Sequence, residues 1–357
     1  MKLVLISAAN CIHTARWANG LVTRGIDVHL ISAHSSELVY DDRVKLYVLN
    51  NKAPLGYLSS VFEVKALINE IAPDLVNAHY ATGYGLLSRL SGSKPSLLSV
   101  WGTDVYDFPK KSFFHRLLLK GNLKYASAVA STSHCMAEET AKTFRSDEVY
   151  ITPFGVDEHA FFSSSKESSD IVLGTVKTLN KKYGIDTLIK AFSQAWEALN
   201  KPDNLYLEIS GSGPDMNELI TLTESLGIKG LVTFHGHVDH EKVPHMLNRL
   251  DVYCALSRLE SFGVAILEAC SCEKPVIVSD ADGLAEVTLH GKTGLVVPKD
   301  DVSAAANAMI KLINDKELRK EMGTFGRKHV VENYTWDKSL DIMINAYEKV
   351  IEHNKQS

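Results

Sequence analysis

The sequence predicts an α/β protein of two Rossmann-like, doubly wound domains. Short, continuous apolar runs alternate with helix-length amphipathic patterns, the rhythm of parallel strands covered on both faces. That rhythm pauses once, in a polar segment at 157–170 with serines at 163–165 and 168–169, and then restarts. At 357 residues, with 45% hydrophobic and 23% charged side chains, the chain has the length of two domains and a globular composition. One domain is expected over 1–160 and a second over 170–335.

The elements follow in order. Residues 3–6 are all apolar and form the first strand. A helix over 14–24 carries Ala15, Ala18, Leu21 and Val22 on one side, with Gly25 to stop it. Strands follow over 27–32 and 44–49, then a helix over 59–71 that ends before Pro73, then a strand over 74–79. Strands over 96–100 and 127–131 continue the alternation. After the linker, 171–176 is a strand, and a helix from Ile185 places Leu188, Ile189, Phe192, Trp196 and Leu199 at core-facing spacing. Strands over 205–209, 232–234, 252–256, 275–278 and 295–297 complete the second set. Helices over 303–313 and 336–352 close the chain.

Composition excludes several function classes. A net charge of −5 argues against nucleic-acid binding through global charge. No apolar run reaches the ~18 residues of a membrane span. Residues 1–7 run straight into a strand and are too short for a signal peptide, which predicts a cytoplasmic chain. The five cysteines are scattered, with only Cys270 and Cys272 close together, and no second pair completes a zinc site. Reduced thiols that pack a helix are expected there. No Gly-x-Gly-x-x-Gly follows the first strand, so an NAD-dependent oxidoreductase is disfavoured.

The informative stretch is 251–268. An apolar strand leads to Glu260, then to the turn Ser261-Phe262-Gly263, then to a helix bearing Val264 and Glu268. A helix start offers unpaired N–H groups and partial positive charge to a phosphate. Glu268 lies roughly 8–10 Å further along at 1.5 Å per residue, about the distance from a diphosphate to its ribose. Glu260, before the turn, faces where a sugar would sit. The arrangement is that of a nucleotide-sugar clamp. Lys177 ends a strand and Lys182 follows in the next loop, so both can supply the fixed cations that a departing diphosphate needs without a metal.

This stretch resembles the Glu-x7-Glu signature of the family-4 glycosyltransferases, retaining enzymes of the two-domain GT-B fold. Lys177 and Lys182 match the family's upstream basic pair. Gly211-Ser212-Gly213-Pro214, Gly236-His237-Val238, Gly291-Lys292-Thr293-Gly294 and Tyr334-Thr335-Trp336 resemble its landmarks in the same order. The likeness runs over nearly all of 170–340 and more loosely over the first half. It implies two Rossmann-like domains facing across a cleft, with a closing helix over 336–357 that packs back toward the first. It also implies catalytic roles for Lys177, Lys182 and Glu260. Donor binding would fall to Ser261, Phe262, Gly263, Val264, Glu268, Gly211 and His237, with no metal or other cofactor. Two departures stand out: lysine replaces the usual arginine at 177, and Tyr183 intervenes before Gly184.

The first half would hold the acceptor. His13, Arg16 and Trp17 form a polar and aromatic cluster at a helix start, which suits a sugar or a phosphate; Trp17 as core is the equal alternative. His79 ends a strand resembling the family's at the cleft edge. Val100-Trp101-Gly102-Thr103-Asp104 resembles its His-Gly-x-Asp segment, with Trp101 in place of the histidine. Pro153-Phe154-Gly155-Val156-Asp157 matches the domain junction. Between Phe108 and Ala137 there are five basic residues and no acid, interleaved with apolar ones. Residues 110–124 are either a basic amphipathic helix resting on an anionic membrane or an ordinary surface helix.

The function expected is retaining, metal-independent transfer of a hexose-type sugar from a UDP- or GDP-sugar to a hydroxyl. The acceptor expected is a carbohydrate or a lipid-linked molecule in bacterial surface-polysaccharide or glycolipid assembly. The protein would be cytoplasmic or peripheral on the inner face of the membrane, with no nucleic acid as partner. The rivals are a sugar-nucleotide 2-epimerase of the same architecture and a non-catalytic sugar-nucleotide-binding scaffold.

Overall fold

The computed structural model describes residues 1–164 and 168–356. Ser165, Lys166 and Glu167 of the expected linker, and Ser357 at the end of the expected closing helix, lie outside the described residues. The chain divides into two compact units, Met1–Phe154 with Trp336–Ser357, and Gly155–Thr335.

The first unit is a 7-stranded sheet made of β1 (Lys2–Ile6), β2 (Asp27–Ser32), β3 (Lys45–Val48), β4 (Leu75–His79), β5 (Ser96–Val100), β6 (Ala128–Ser131) and β7 (Val149–Ile151). Its order is β3-β2-β1-β4-β5-β6-β7, parallel at every pairing. All five residues of β4 and all five of β5 are buried, as a sheet covered on both faces requires. The C-terminal helix Trp336–Gln356 belongs to this unit. Trp336 meets buried Trp17 edge to face at 5.1 Å, and the Tyr347 hydroxyl donates to Asn77 Oδ1 at 2.9 Å. Arg24 pairs with both Asp337 and Asp341 at 2.7 Å.

The second unit contributes β8 (Ile171–Val176), β9 (Leu205–Ser210), β10 (Val232–Gly236), β11 (Val252–Ala255), β12 (Val276–Ser279) and β13 (Gly294–Val297). Their order is β10-β9-β8-β11-β12-β13, again parallel throughout. The helix Ile185–Ala198 buries Ile185, Leu188, Ile189, Phe192 and Ala195 at three- and four-residue spacing, in one core with Ala305, Met309 and Leu312 of the helix Val302–Asn314.

The sequence pattern named neither β7 nor several helices, among them Gly83–Ser91, Met216–Ser225, Asp282–Val287 and the long Lys316–Asn333. That helix rests on the helix Val264–Ser271, where Gly326 lies against Cys270. Cys270 and Cys272 are buried with their thiol pKa values pushed up to about 12 by burial, so they pack rather than react.

Candidate functional site

In the second unit the strand order reverses between β8 and β11, and ligands of open α/β sheets bind outside the carboxyl ends of the strands at such a point. β8 runs out into Lys177, and β11 into the turn that carries Glu260. Lys177 Nζ lies 2.5 Å from Glu260 Oε2, with both side chains mostly withdrawn from solvent. Burial by itself would lower the pKa of the amine. The Glu260 carboxylate more than offsets this, so the Lys177 pKa stands above its ordinary value. Lys177 is a fixed cation.

Lys182 joins it by way of Tyr183, whose part in the site the sequence does not announce. Lys177 Nζ lies 4.5 Å from the centroid of the Tyr183 ring and Lys182 Nζ 4.8 Å, so one ring attracts both ammonium groups. Residues Lys181–Tyr183 form a single 3₁₀ turn, with Asn180 Oδ1 accepting from the Lys182 amide at 3.2 Å. Gly184 ends the turn at φ +63°, and a Cβ there would stand 1.9 Å from the Leu256 carbonyl oxygen. No other residue fits. Arg258 fastens this loop to the strand end: its guanidinium donates twice to Asp186 at 2.9 Å, and its amide donates to the Lys182 carbonyl at 2.7 Å.

After Glu260, Ser261 and buried Phe262 lead to Gly263, the residue before the helix Val264–Ser271. The Glu260 carbonyl accepts from the Gly283 amide at 3.1 Å, and a Cβ on Gly283 would fall 2.5 Å from the Ser261 carbonyl carbon. The backbone of 260–262 therefore lies directly on the start of the helix Asp282–Val287. Ile266 and Leu267 are the first amides to bond back, to Gly263. The earlier amides, Val264 among them, have no preceding turn to serve and carry the positive end of the helix dipole.

Glu268 is buried in the second turn of that helix, with Oε1 3.2 Å from Nε2 of His240. His237 does not come to this group. It stays exposed, 3.8 Å from Asp239, and the histidine that reaches Glu268 lies three positions later. The reason is local: Gly236 turns the chain at φ +71°, and the 3₁₀ turn His240–Lys242 brings the chain back over the helix. Gly211 lies beside the same strand end. Its amide donates to Gly236 at 2.6 Å, and a Cβ would meet the Lys177 carbonyl oxygen at 1.9 Å, so its loop abuts the exit of β8.

In the first unit the order reverses between β1 and β4. His13 stacks on Phe154 at 4.1 Å, Trp101 meets Phe154 edge to face at 5.5 Å, and His79 tilts against Trp101 at 4.7 Å. These four rings form one aromatic cluster at the carboxyl edge of the sheet. Three expected acceptor residues take other roles. Trp17 is 1% exposed and belongs to the core under Trp336; a large ring on the inner face of an amphipathic helix is worth more buried than wet. His79 is fully buried, its Nε2 2.9 Å from Asn77 Oδ1, and burial pushes its pKa down to about 3. It is a neutral structural imidazole. Asp104 is fully buried and accepts from the amides of Ala81 at 2.8 Å, Trp101 at 3.1 Å and Gly102 at 2.8 Å. Burial raises its pKa, with the amides opposing, and its carboxylate shapes the Trp101 loop. Arg16 lies over the Trp336 ring at 5.8 Å.

Among the described residues no helix is long and apolar enough to cross a membrane, and no group of three or more His, Cys, Asp or Glu could hold a metal. Residues 156–329 match the family described as Glycosyl transferases group 1, and residues 2–133 match Glycosyl transferase 4-like. N-acetyl-alpha-D-glucosaminyl L-malate synthase of Bacillus anthracis is 25% identical over 94% of this chain and 90% of its own. Sucrose-phosphate synthase from Thermosynechococcus elongatus superposes with a TM-score of 0.85 at 19% identity, over 99% of this chain and 100% of that one. Anabaena HepE in complex with UDP gives 0.83 at 18% identity, over 98% and 100%.

Proposed function

The chain belongs to the glycosyl transferases group 1 family, and from that premise we propose retaining, metal-independent transfer of a hexose-type sugar from a UDP- or GDP-sugar to a hydroxyl. The observation that carries the reading is the Lys177–Glu260 pair at the point where the second sheet reverses, beside an open helix start. Lys177, Lys182 and the amides around Val264 meet the diphosphate and stabilise the charge that grows on it as the anomeric bond breaks. Two lysines and a helix dipole take the part that a divalent ion takes elsewhere. Glu268 accepts from the ribose hydroxyls, held for that purpose by His240. Glu260 accepts from a hydroxyl of the donor sugar while keeping Lys177 in place.

The acceptor oxygen attacks the anomeric carbon on the face from which the diphosphate leaves. The anomeric carbon–oxygen bond breaks, the new glycosidic bond forms on that same face, and the acceptor proton passes to the departing phosphate oxygen. No protein base is required, which suits a first unit whose candidate histidine is buried and neutral. A bound UDP in a neighbouring fold supports the donor class. We place the acceptor among carbohydrates and lipid-linked molecules of bacterial polysaccharide and glycolipid synthesis, the setting of bacterial members of the family, at the inner face of the cytoplasmic membrane.

A thermal-shift screen against UDP, GDP, ADP and their sugars, with a chelator present, tests the donor site. One diphosphate is expected to raise the melting temperature. No shift with any of them sinks the reading, and a shift with no sugar transfer to any acceptor leaves the sugar-nucleotide-binding scaffold. Conversion of the donor to its 2-epimer, without sugar transfer, assigns the chain to an epimerase.

A further inference from the structure

The helix Phe113–Tyr125 buries Leu119, Asn122 and Leu123 and leaves Phe113, Phe114 and Leu117 exposed. Its Asn122 side chain donates to the carbonyls of Ala81 and Thr82, just past the carboxyl end of β4. Three residues later the Tyr125 carbonyl accepts from Lys94, at the opposite edge, before β5 begins. Phe113 lies nine residues before Asn122, about 13 Å at 1.5 Å per residue, so the first two turns project beyond the carboxyl edge of the sheet. A second exposed group stands at the same edge, where the chain enters the helices Gly56–Ser59 and Val61–Ile71. Gly56 there packs near Ala33, just past β2, and Tyr57 against Gly83, just past β4.

Leu55, Leu58, Phe62, Phe113, Phe114 and Leu117 are exposed, from 48% at Leu117 to 84% at Phe62. Lys110, Lys111, Arg116, Lys120 and Lys124 are exposed around the second group, in a stretch without an acid, on a chain whose net charge is −5. Among the described residues, Lys110 pairs with Glu139 at 3.9 Å and Arg116 donates to the Lys142 carbonyl at 3.3 Å, while the other three make no ion pair.

We propose that this edge of the first unit is a two-footed docking surface for an anionic bilayer. Phenylalanine and leucine enter the boundary between headgroups and acyl chains, and the lysines meet the headgroup charge. A second copy of the chain fits poorly: a two-fold interface sets the patch against itself, cation against cation. The loops after β1, β4 and β5, with His13 and Trp101, leave the sheet at this same edge. A lipid-linked hydroxyl acceptor would therefore present its head to those loops. The choice of acceptor rests on the glycosyltransferase reading; the docking does not.

The test is co-sedimentation of the full chain with vesicles of equimolar phosphatidylcholine and phosphatidylglycerol, and with pure phosphatidylcholine. The protein is expected to sediment with the first and not the second. Lys111→Glu with Lys120→Glu should lower the partition coefficient by about tenfold or more. Phe113→Ser with Phe114→Ser, and separately Leu58→Ser with Phe62→Ser, should each weaken it, while the nucleotide-dependent thermal shift stays unchanged. Equal binding to both vesicles, no sedimentation, or indifference to the Phe113/Phe114 pair overturns the proposal. So does a dimer in solution that the same pair dissolves, which would give the face to a second copy. Absence of the thermal shift in the unaltered protein tells against the donor site and leaves the vesicle result standing.

Discussion

The two sheets reverse their strand order in the same way and differ in what stands at the reversal. After β8 and β11 come Lys177 and Glu260, a cation and a carboxylate that complete each other at 2.5 Å. At the carboxyl ends of β1, β4 and β5 stand aromatic rings, with a neutral buried His79 and an Asp104 committed to three backbone amides. One scaffold thus carries a charged crevice in the second unit and an aromatic, nearly neutral one in the first. The first kind suits a diphosphate, and the second suits the flat, hydroxyl-rich face of a sugar. The contrast is one of chemistry at strand ends, since the framework beneath is shared.

The largest expected effect lies in the charged crevice. Lys177→Ala should lower kcat/KM by roughly 100- to 1000-fold, the cost of removing one fixed donor to a developing anion. Trp101→Ala should raise the acceptor KM and leave the nucleotide-induced thermal shift intact. If both variants lose nucleotide binding alike, the division of labour between the units fails.

Glycines come next. Gly184→Ala forces a Cβ to 1.9 Å from a carbonyl oxygen at positive φ, whereas Gly92→Ala, at φ +77° in the first unit, meets nothing within 4 Å. The first should destabilise by about 1–3 kcal/mol more than the second in urea unfolding, the usual cost of overpacking. Equal losses would show that the loop at Gly184 yields.

A pH effect separates the units further. Folded His79 takes its proton only near pH 3, against an ordinary 6.5 in the unfolded chain. Below 6.5 the unfolded chain therefore binds a proton that the folded one refuses, and stability falls as pH drops through that window. The slope approaches about 1.4 kcal/mol per pH unit. His79→Gln should flatten the dependence between pH 6.5 and 5, read as the difference in unfolding midpoints. An unchanged slope would place the titrating group elsewhere. The smallest effect concerns Tyr183: Tyr183→Phe keeps the ring and should be nearly silent, while Tyr183→Leu should weaken nucleoside diphosphate binding by about fivefold, near 1 kcal/mol, in calorimetry.

How much of this the sequence discloses follows from where the partners lie. Lys177, Glu260 and Glu268 are legible because each stands at a fixed step from the end of an apolar strand. His240 is not, because a turn at Gly236 decides which histidine swings back. Gly283 supports Ser261 from 22 positions away, and no local pattern marks it. His79 and Asp104 look, in sequence, like polar residues at a strand end facing a ligand. Their partners come from elsewhere in the chain: His79 pairs with Asn77, which Tyr347 reaches across 270 positions, and Asp104 accepts from the amide of Ala81, 23 positions away. The helix Lys316–Asn333 hides for a different reason: its buried face is Met322, Gly323, Gly326 and Val330, too thin an apolar stripe to read. The glycines are there because Gly323 lies against the Glu273 carbonyl, where a Cβ would come within 2.1 Å.

The first unit takes its last helix from the far end of the chain. During synthesis all seven strands of its sheet leave the ribosome before the second unit is made, and Trp336–Gln356 comes only afterwards. At about 5–20 residues per second, translating the intervening unit takes on the order of ten seconds or more. Through that interval Trp17 lacks the ring that covers it, and Asn77 lacks the hydroxyl of Tyr347. The nascent first sheet must wait, with an apolar groove open, for a helix that arrives last. Chaperone engagement is to be sought in that interval, and truncation before Trp336 should make it permanent.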